Sequence, residues 1–191
     1  MTEDIASLIK EHQKDIDSLL NDEEVLIKIK EAIILISQAF LNDQKVLFCG
    51  NGGSAADAQH LAGELSGRFK LERPALFAEA LHVNIAALTA ISNDYSFESA
   101  LSRLLQSKGK QNDILVALST SGSSANILKA MKTARKLSMK VIGLSGNYNS
   151  PFSGLCDIDI KIHSKNTPRI QEAMMLIGHI ICEKVEQNLF S

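Results

Sequence analysis

Two stretches of this chain share one pattern, in which a short apolar run ends in Gly, Ser, Asn or Thr and continues into an Ala-containing helical segment. They cover residues 46–55 and 115–125. Each predicts a strand, a turn and a helix N-terminus, where unpaired backbone N–H groups and the helix dipole attract an anion. Gly lets a ligand approach the backbone, and Ser and Thr hydroxyls bond to phosphate or sugar oxygens. Two such turns in one small domain predict a phosphorylated polyol as the ligand.

Strand-like and helical segments alternate along the rest of the chain. Short apolar runs of the kind that form buried parallel strands occur at Val46–Cys49, Leu76–Leu81, Ile114–Leu118, Val141–Ser145 and Ile158–Ile162. Helices are predicted near 54–67, 84–92, 98–107 and 124–137, and from about Pro168 to Gln187. This order predicts the α/β class with a doubly wound parallel sheet. Ligands of such sheets bind at the C-terminal strand ends, where both hydroxyl-rich turns are expected.

The N-terminal part of the chain is predicted to be helical over residues 2–41, with a break at Asn21 and Asp22. This is more amphipathic helix than a minimal α/β domain needs, so we expect part of it to pack on a partner subunit. A length of 191 residues fits a single domain over 1–191. We divide it into N-terminal helices over 1–41 and an α/β core over 42–191.

Charge and cysteine content narrow the class of protein. The 20 Lys and Arg residues against 22 Asp and Glu residues give a net charge of −2 without a basic stripe, which argues against a nucleic-acid partner. The N-terminus lacks the pattern of a signal peptide, and no apolar run is long enough to span a bilayer. The 3 cysteines form no Cys-x-x-Cys motif, so no thiolate zinc site is predicted. We expect a cytoplasmic protein without a membrane partner.

Two predicted helices each carry a histidine and an oxygen-bearing side chain. His60 and Glu64 are four residues apart, about 40° around a helix, and Gln171 and His179 are eight apart, about 80°. If the two helices meet, the four side chains can surround a divalent metal, and these ligand types suit zinc, nickel or iron better than magnesium. The alternative is a surface pair on the first helix and, on the second, a core histidine whose hydrogen bonds are satisfied.

Two further groups of polar residues have alternative interpretations. Asn93 and Asp94 are typical of a turn that ends a helix, and they also offer amide and carboxylate groups to sugar hydroxyls. Arg68, Lys70 and Arg73 form a small basic cluster that can face a phosphate. For Lys70 and Arg73 we favour a solvated loop.

One motif competes with a sugar phosphate site. Gly50, Gly52 and Ala55 fit the Gly/Ala form of the dinucleotide-binding fingerprint, which also requires an acid at the end of the second strand. Glu72 has about the right separation but is predicted to lie in a charged loop before that strand. We therefore favour the sugar phosphate over a dinucleotide.

Four motifs, taken in order, resemble the sugar isomerase (SIS) domain family: residues 49–60, Asn93 with Asp94, residues 119–124 and residues 169–172. The similarity extends over nearly the whole chain. It implies a single SIS domain with a flavodoxin-like five-stranded sheet, a homotetramer, and active sites built between subunits. The segment 82–86 departs from the isomerases, which usually have an Asp and a Ser there.

The same resemblance implies a set of site residues. One zinc ion per subunit is held by the matching His60, Glu64, Gln171 and His179. Substrate contacts are implied for Asn51, Gly52, Gly53, Glu64, Asn93, Asp94, Ser119, Thr120, Ser121, Ser124 and Gln171.

The implied activity is an aldose–ketose isomerisation of sedoheptulose 7-phosphate to D-glycero-D-manno-heptose 7-phosphate through an enediol, for the heptose of lipopolysaccharide or capsule. Such a reaction needs a base near carbon and an acid near oxygen, and we assign Glu64 as the base and His179 as the acid. The alternative is a non-catalytic SIS regulator that binds a sugar phosphate or the initiator protein DnaA. Regulators of that kind lack the counterparts of Glu64 and His179, both of which this chain has.

Overall fold

A parallel sheet of five strands organises the computed structural model, which describes residues 2–191. The strands are β1 Val46–Cys49, β2 Ala78–Ala80, β3 Ile114–Ser119, β4 Lys140–Gly146 and β5 Ile158–Ile162. Their spatial order is β2-β1-β3-β4-β5, and all four neighbouring pairs are parallel. The predicted α/β fold with a doubly wound sheet is confirmed.

Seven helices connect and flank these strands in the described part of the chain. They are α1 Thr2–Leu20, α2 Glu23–Leu41, α3 Gly53–Ser66, α4 Ile85–Asp94, α5 Phe97–Lys108, α6 Ala125–Lys136 and α7 Thr167–Phe190. The predicted break after the first helix is confirmed, because Asp22 caps α2 by accepting a hydrogen bond of 3.1 Å from the backbone N–H of Val25.

The second strand is shorter than the predicted Leu76–Leu81. The N–H of Leu76 donates to the carbonyl of Leu65 at the end of α3, and the N–H of Ala78 donates to the carbonyl of Leu76, two residues earlier. At the other end Leu81 begins a 3-10 helix, Leu81–Val83. Leu76 and Leu81 therefore lie outside the strand, although the carbonyl of Phe77 still accepts from the N–H of Val46 in β1, and hydrophobicity alone does not reveal these limits.

Each face of the sheet packs against helices, which explains the apolar strands. Residues Ile114, Val116 and Leu118 of β3 join a cluster with α2, α3 and α7, whereas Leu115 and Ala117 join a second cluster with α5 and α6. All these side chains are 3% exposed or less. Burial of a side chain of this size contributes about 1.5–3 kcal/mol, so the two layers supply most of the driving force for folding.

Two helices contribute little to this core. In α1 only Leu19 is buried, and α4 has no buried residue. Large apolar side chains that stay at least 37% exposed are concentrated on four of the helices, α1, α2, α4 and α7: Ile5, Leu8, Ile9, Leu20, Leu26, Ile27, Ile34, Leu41, Ile85, Leu176, Ile180 and Phe190. Across residues 2–191, none of the helices is both long and apolar enough to cross a membrane.

A buried ion pair joins the loop after α3 to α7. The side chains of Arg73 and Glu186 are both 1% exposed, and Nε of Arg73 donates to Oε1 of Glu186 at 3.0 Å. The prediction of a solvated loop was therefore wrong for Arg73, while Lys70 is exposed as predicted. Burial opposes the ionisation of Glu186, but hydrogen bonds from Leu71, Lys70, Phe69 and Arg73 outweigh it and hold its pKa below the ordinary value.

Replacement of Glu186 by Gln should destabilise the fold strongly. The change leaves the Arg73 guanidinium buried without a counter-charge, and loss of one partner of a buried pair costs about 3–5 kcal/mol. The free energy of unfolding at pH 7, from urea denaturation, measures the effect. Glu183→Gln is the matched control on the same helix, because Glu183 pairs with Lys70 at the surface and an exposed pair contributes about 0–1 kcal/mol.

The same comparison has an expected pH dependence. Because the pKa of Glu186 is lowered on folding, its stabilising effect is complete above its ordinary value of 4.5 and is lost as the pH falls through the lower folded pKa. The difference in the free energy of unfolding between wild type and Glu186→Gln should therefore decrease as the pH falls below 4.5. A gap that is the same at acidic and neutral pH contradicts the assignment.

Candidate active site

The two hydroxyl-rich turns lie side by side because their strands are neighbours. In the ladder Val46 is paired with Ile114 and Cys49 with Ala117, so β1 and β3 end at the same edge of the sheet. The chain leaves β1 towards β2 on one side, whereas β3 continues towards β4 on the other. This reversal of strand order opens the crevice in which doubly wound proteins bind their ligands.

The helices that start near these turns lack side-chain caps. The side chains of Asp22, Asn84 and Ser96 cap α2, α4 and α5, but α3, α6 and α7 begin at Gly52, Ser124 and Asn166 without a capping bond from the side chain. Gly52 has a φ of 53°, which a residue with a side chain rarely adopts. Helices α3 and α7 carry the four predicted metal ligands and α6 follows the second hydroxyl-rich turn, and the N-termini of all three remain suited to an anionic ligand.

A pair of amides joins the two turns. Nδ2 of Asn51 donates to Oδ1 of Asn126 at 2.8 Å, and Nδ2 of Asn126 donates to Oδ1 of Asn51 at the same distance. Oδ1 of Asn126 also accepts from the N–H of Ile127 at 3.0 Å. The pair holds residue 51 at a fixed distance from the start of α6. Sequence reasoning missed Asn126, although an Asn at the start of a predicted helix, just after a hydroxyl-rich turn, is a signal that could have found it.

The second turn presents hydroxyls at different depths. Oγ of Ser119 is buried and accepts from the N–H of Gly122 at 3.2 Å. Ser121 is exposed, and its Oγ accepts from the N–H and the hydroxyl of Ser123 at 3.3 and 2.9 Å. Ser124 has a hydroxyl that does not cap α6. Ser119 thus shapes the turn, whereas Ser121 and Ser124 remain available to a phosphate.

Three of the four predicted ligands come together where α3 contacts α7. Nε2 of His60 lies 3.1 Å from Oε1 of Glu64 and 3.1 Å from Nε2 of His179. One ligand atom from each of the three residues lies within 4.8 Å of the others. Gly178 permits this approach, because a Cβ there would lie 2.6 Å from Cδ1 of Leu61 on α3.

The geometry of this cluster fits a metal ion. Tetrahedral zinc with bonds of about 2.0–2.1 Å holds its ligand atoms about 3.3 Å apart, close to the spacings around Nε2 of His60. Two imidazole nitrogens that face each other, with a carboxylate beside them, are also the donor types that zinc prefers. His60 and Glu64 line an open groove of about 550 Å³ with Ala56, Gln59 and Gly63, so an ion and a substrate can reach them.

The fourth predicted ligand lies against the first turn. A Cβ on Gly53 would lie 2.5 Å from Nε2 of Gln171, so the amide packs against the start of α3. Gly53 precedes His60 by seven residues, an axial rise of about 10 Å. The structure therefore places Gln171 beside the predicted sugar-binding turn, and its role as a metal ligand stays a prediction.

Of the other predicted substrate residues, Thr120 is partly buried and Asn93 and Asp94 are exposed. Asn93 and Asp94 are the last two residues of α4, and Nδ2 of Asn93 donates to Oδ1 of Asp94 at 3.0 Å. They end a helix, as expected from the preference of Asn and Asp for such positions. Their contact with a sugar stays a prediction.

His82, in the segment that departs from the family pattern, borders a second cavity beside the first turn. A pocket of about 180 Å³ is lined by Gly50, Asn51, Gly52, Ala55, His82, Leu88, Phe97, Leu101 and Asn126. Both ring nitrogens of His82 are buried without a hydrogen-bond partner. Burial lowers the pKa of His82 and so favours the neutral ring. The backbone of Ala55 raises the pKa, but its effect is weaker.

Comparison with known proteins connects this site to a family. The SIS domain model matches residues 12–146. Two relatives are named phosphoheptose isomerase and phosphoheptose isomerase 2, from Nitratiruptor sp. and Campylobacter jejuni. They are 46% and 45% identical to this chain, over 98% of it in both cases and over 100% and 96% of the relatives.

A solved structure supports the same relationship in three dimensions. The phosphoheptose isomerase from Francisella tularensis superimposes with a TM-score of 0.93 at 34% identity and covers 97% of this chain and 98% of that protein. Sequence and fold therefore agree over almost the full length. The chain belongs to the SIS domain family and, within it, to the phosphoheptose isomerases.

Proposed function

We propose that this protein interconverts sedoheptulose 7-phosphate and D-glycero-D-manno-heptose 7-phosphate. The names of its relatives support the substrate class, and the cluster of His60, Glu64 and His179 supports the chemistry. A carboxylate within 4.8 Å of two imidazoles offers both a base for a carbon-bound proton and an acid for an oxygen. This juxtaposition carries the proposal.

The reaction moves one proton between neighbouring carbons. Glu64 removes a proton from C1 of the ketose while His179 donates a proton to the carbonyl oxygen on C2, which yields the enediol. His179 then accepts the proton of the C1 hydroxyl, and Glu64 returns its proton to C2, which yields the aldose. Each residue ends the cycle in its starting protonation state, so the step is reversible.

A metal ion has a defined place in this proposal. His60, Glu64 and His179 would hold it, with Gln171 as the fourth predicted ligand. A bound divalent ion polarises a carbonyl and stabilises negative charge on an enediolate oxygen. We propose zinc, one ion per subunit.

The substrate would span both turns. The hydroxyl-rich segment 119–124 and the N-terminus of α6 bind the phosphate, and residues 51–54 with Gln171 bind the sugar. Exposed Asn93 and Asp94 offer an amide and a carboxylate to the remaining hydroxyls. This assignment places the charged phosphate of the substrate at a helix N-terminus and the neutral hydroxyls of the sugar at the Asn- and Gly-rich turn.

We further propose that the chain acts as a homotetramer. The apolar side chains exposed on α1, α2, α4 and α7 are more numerous than a lone subunit needs, and the groove at His60 and Glu64 is open to a neighbouring subunit. We place the reaction in the cytoplasm, with the product supplying heptose for lipopolysaccharide or capsule. These two assignments rest on the resemblance of the chain to its relatives.

Incubation of the protein with sedoheptulose 7-phosphate in D₂O should yield the aldose with deuterium at C2, as measured by NMR. Glu64→Gln and His179→Asn should each lower kcat by about 10²–10⁴-fold, the usual contribution of a positioned base or acid. Zinc content and oligomeric state must be measured in both variants, since loss of a ligand has the same effect on rate as loss of a base. Glu183→Gln, a change at a partly exposed position of α7, is the matched control.

Two results would contradict this assignment. Variants that keep their metal and turn over at the wild-type rate show that Glu64 and His179 do not transfer the protons. A wild-type protein that never exchanges deuterium into C1 or C2 is not an enediol isomerase, and the non-catalytic regulator then becomes the leading alternative.

Elemental analysis of gently purified protein should find about one zinc per chain. Removal of the ion with a chelator should abolish most isomerase activity, and zinc should restore it, because three side chains of the cluster are ligands of the preferred type. His60→Gln should lower the zinc content, and His163→Gln is its matched control, since His163 pairs with Asp22 instead of joining the cluster. Full activity in metal-free protein would refute the metal site.

Light scattering at assay concentration should give the mass of a tetramer. Ile9→Glu places a charge on the exposed apolar face of α1 and should shift the protein towards smaller species. Gln13→Glu adds the same charge at an exposed polar position of that helix and should leave the mass unchanged. An active wild-type monomer would disprove the proposed assembly.

A further inference from the structure

The imidazole of His179 packs against a phenylalanine that none of the motifs includes. The ring centroids of Phe69 and His179 are 5.6 Å apart, with the planes tilted by 32°. The ring of His60 also contacts His179, with centroids 5.1 Å apart and a tilt of 53°. His179 is therefore flanked by one proposed ligand and by one ring without a polar atom.

The backbone of Phe69 is held by the helix that carries His179. The N–H of Phe69 donates to Oε1 of Glu186 at 3.0 Å, and the N–H groups of Lys70 and Leu71 donate to Oε2 at 2.7 and 2.8 Å. Glu186 follows His179 by seven residues, so the two lie within about 20° of each other around α7. The loop that supplies Phe69 is thus attached to the His179 face of the helix.

The same ion pair also reaches the proposed base. Nη2 of Arg73 donates to the backbone carbonyl of Glu64 at 2.9 Å, and Nη1 donates to the carbonyl of Leu65 at 2.8 Å. Arg73 thereby satisfies carbonyls at the end of α3, which the helix itself leaves without partners. Arg73 of the buried pair therefore bonds to the backbone of Glu64, and Glu186 holds the loop whose Phe69 ring packs against His179.

We propose that Phe69 is a positioning residue that fixes the imidazole of His179 for metal binding and proton transfer. Rotation about χ2 of histidine has broad, roughly two-fold minima, so the backbone alone does not determine where Nε2 points. A ring packed beside the imidazole restricts that rotation and keeps Nε2 directed at Nε2 of His60. The kinetic part of this inference rests on the proposed isomerase function, whereas the orientation of the ring does not.

Three variants test the inference. Phe69→Leu keeps apolar bulk but removes the flat ring, and Phe69→Tyr keeps the ring. Phe40→Leu is the matched control, because Phe40 is also a partly buried phenylalanine packed against the same core cluster. Circular dichroism and thermal melting establish that all three are folded before the other measurements are compared.

The first readout needs neither metal nor substrate. In metal-free protein labelled at histidine, NMR should show that the ring signals of His179 shift and broaden in Phe69→Leu but resemble wild type in Phe69→Tyr and Phe40→Leu. In zinc-loaded protein, a chelator should remove the ion about 10–100-fold faster from Phe69→Leu, the range for loss of a group that orients a ligand.

The kinetic readout separates positioning from substrate binding. Phe69→Leu should lower kcat by about 10–100-fold, with KM near wild type because the turns at 51–54 and 119–124 are unchanged. Wild-type His179 signals in Phe69→Leu, equal losses in Phe69→Tyr, or equal losses in Phe40→Leu would each overturn the inference. If the wild type fails to isomerise the heptose phosphate, the proposed function fails, and NMR and zinc release still decide the role of Phe69.

Discussion

The geometry of the site depends on the buried carboxylate of Glu186 and on the hydrogen bonds that it accepts. This carboxylate is 1% exposed and accepts four hydrogen bonds, three from backbone N–H groups and one from Arg73. A buried charge is tolerated only where such bonds replace water, and here they do so while joining α3, the following loop and α7. A fold that satisfies this charge has also placed His60, Glu64 and His179 within reach of one another.

At the sheet edge where we propose that the ligand binds, polar backbone groups are left without side-chain partners instead of being satisfied. Helices α3, α6 and α7 begin without the side-chain caps that α2, α4 and α5 have. Loss of a side-chain cap costs about 0.5–2 kcal/mol where the cap residue is Ser or Asn, as at Ser124 and Asn166, and only about a few tenths where it is Gly, as at Gly52; a bound anion would offset this loss. The amide pair between Asn51 and Asn126 holds two of these starts together.

The predictions that succeeded are those for which residues adjacent in the sequence form a clear pattern. The strands of the sheet were predicted because buried parallel strands are apolar on both faces, and β3 shows this from Ile114 to Leu118. The run Leu76–Leu81 is also mostly apolar, yet only Ala78–Ala80 forms β2, because Leu76 donates to the end of α3 and Leu81 begins a 3-10 helix. Arg73 was expected in solvent, since a charged residue in a loop gives no local sign of a partner 113 residues away.

The sequence by itself determined the class of fold, the two hydroxyl-rich turns and the helical spacing of His60 with Glu64, because each depends on residues that are close along the chain. Only the tertiary structure decided which of these features meet. The approach of His179 to His60, across 119 residues, depends on the packing of Leu61 against Gly178 and on the ion pair below it. The ring of Phe69 beside His179 follows from the same packing, since helix contacts and buried charge are properties of the assembled core and not of any segment.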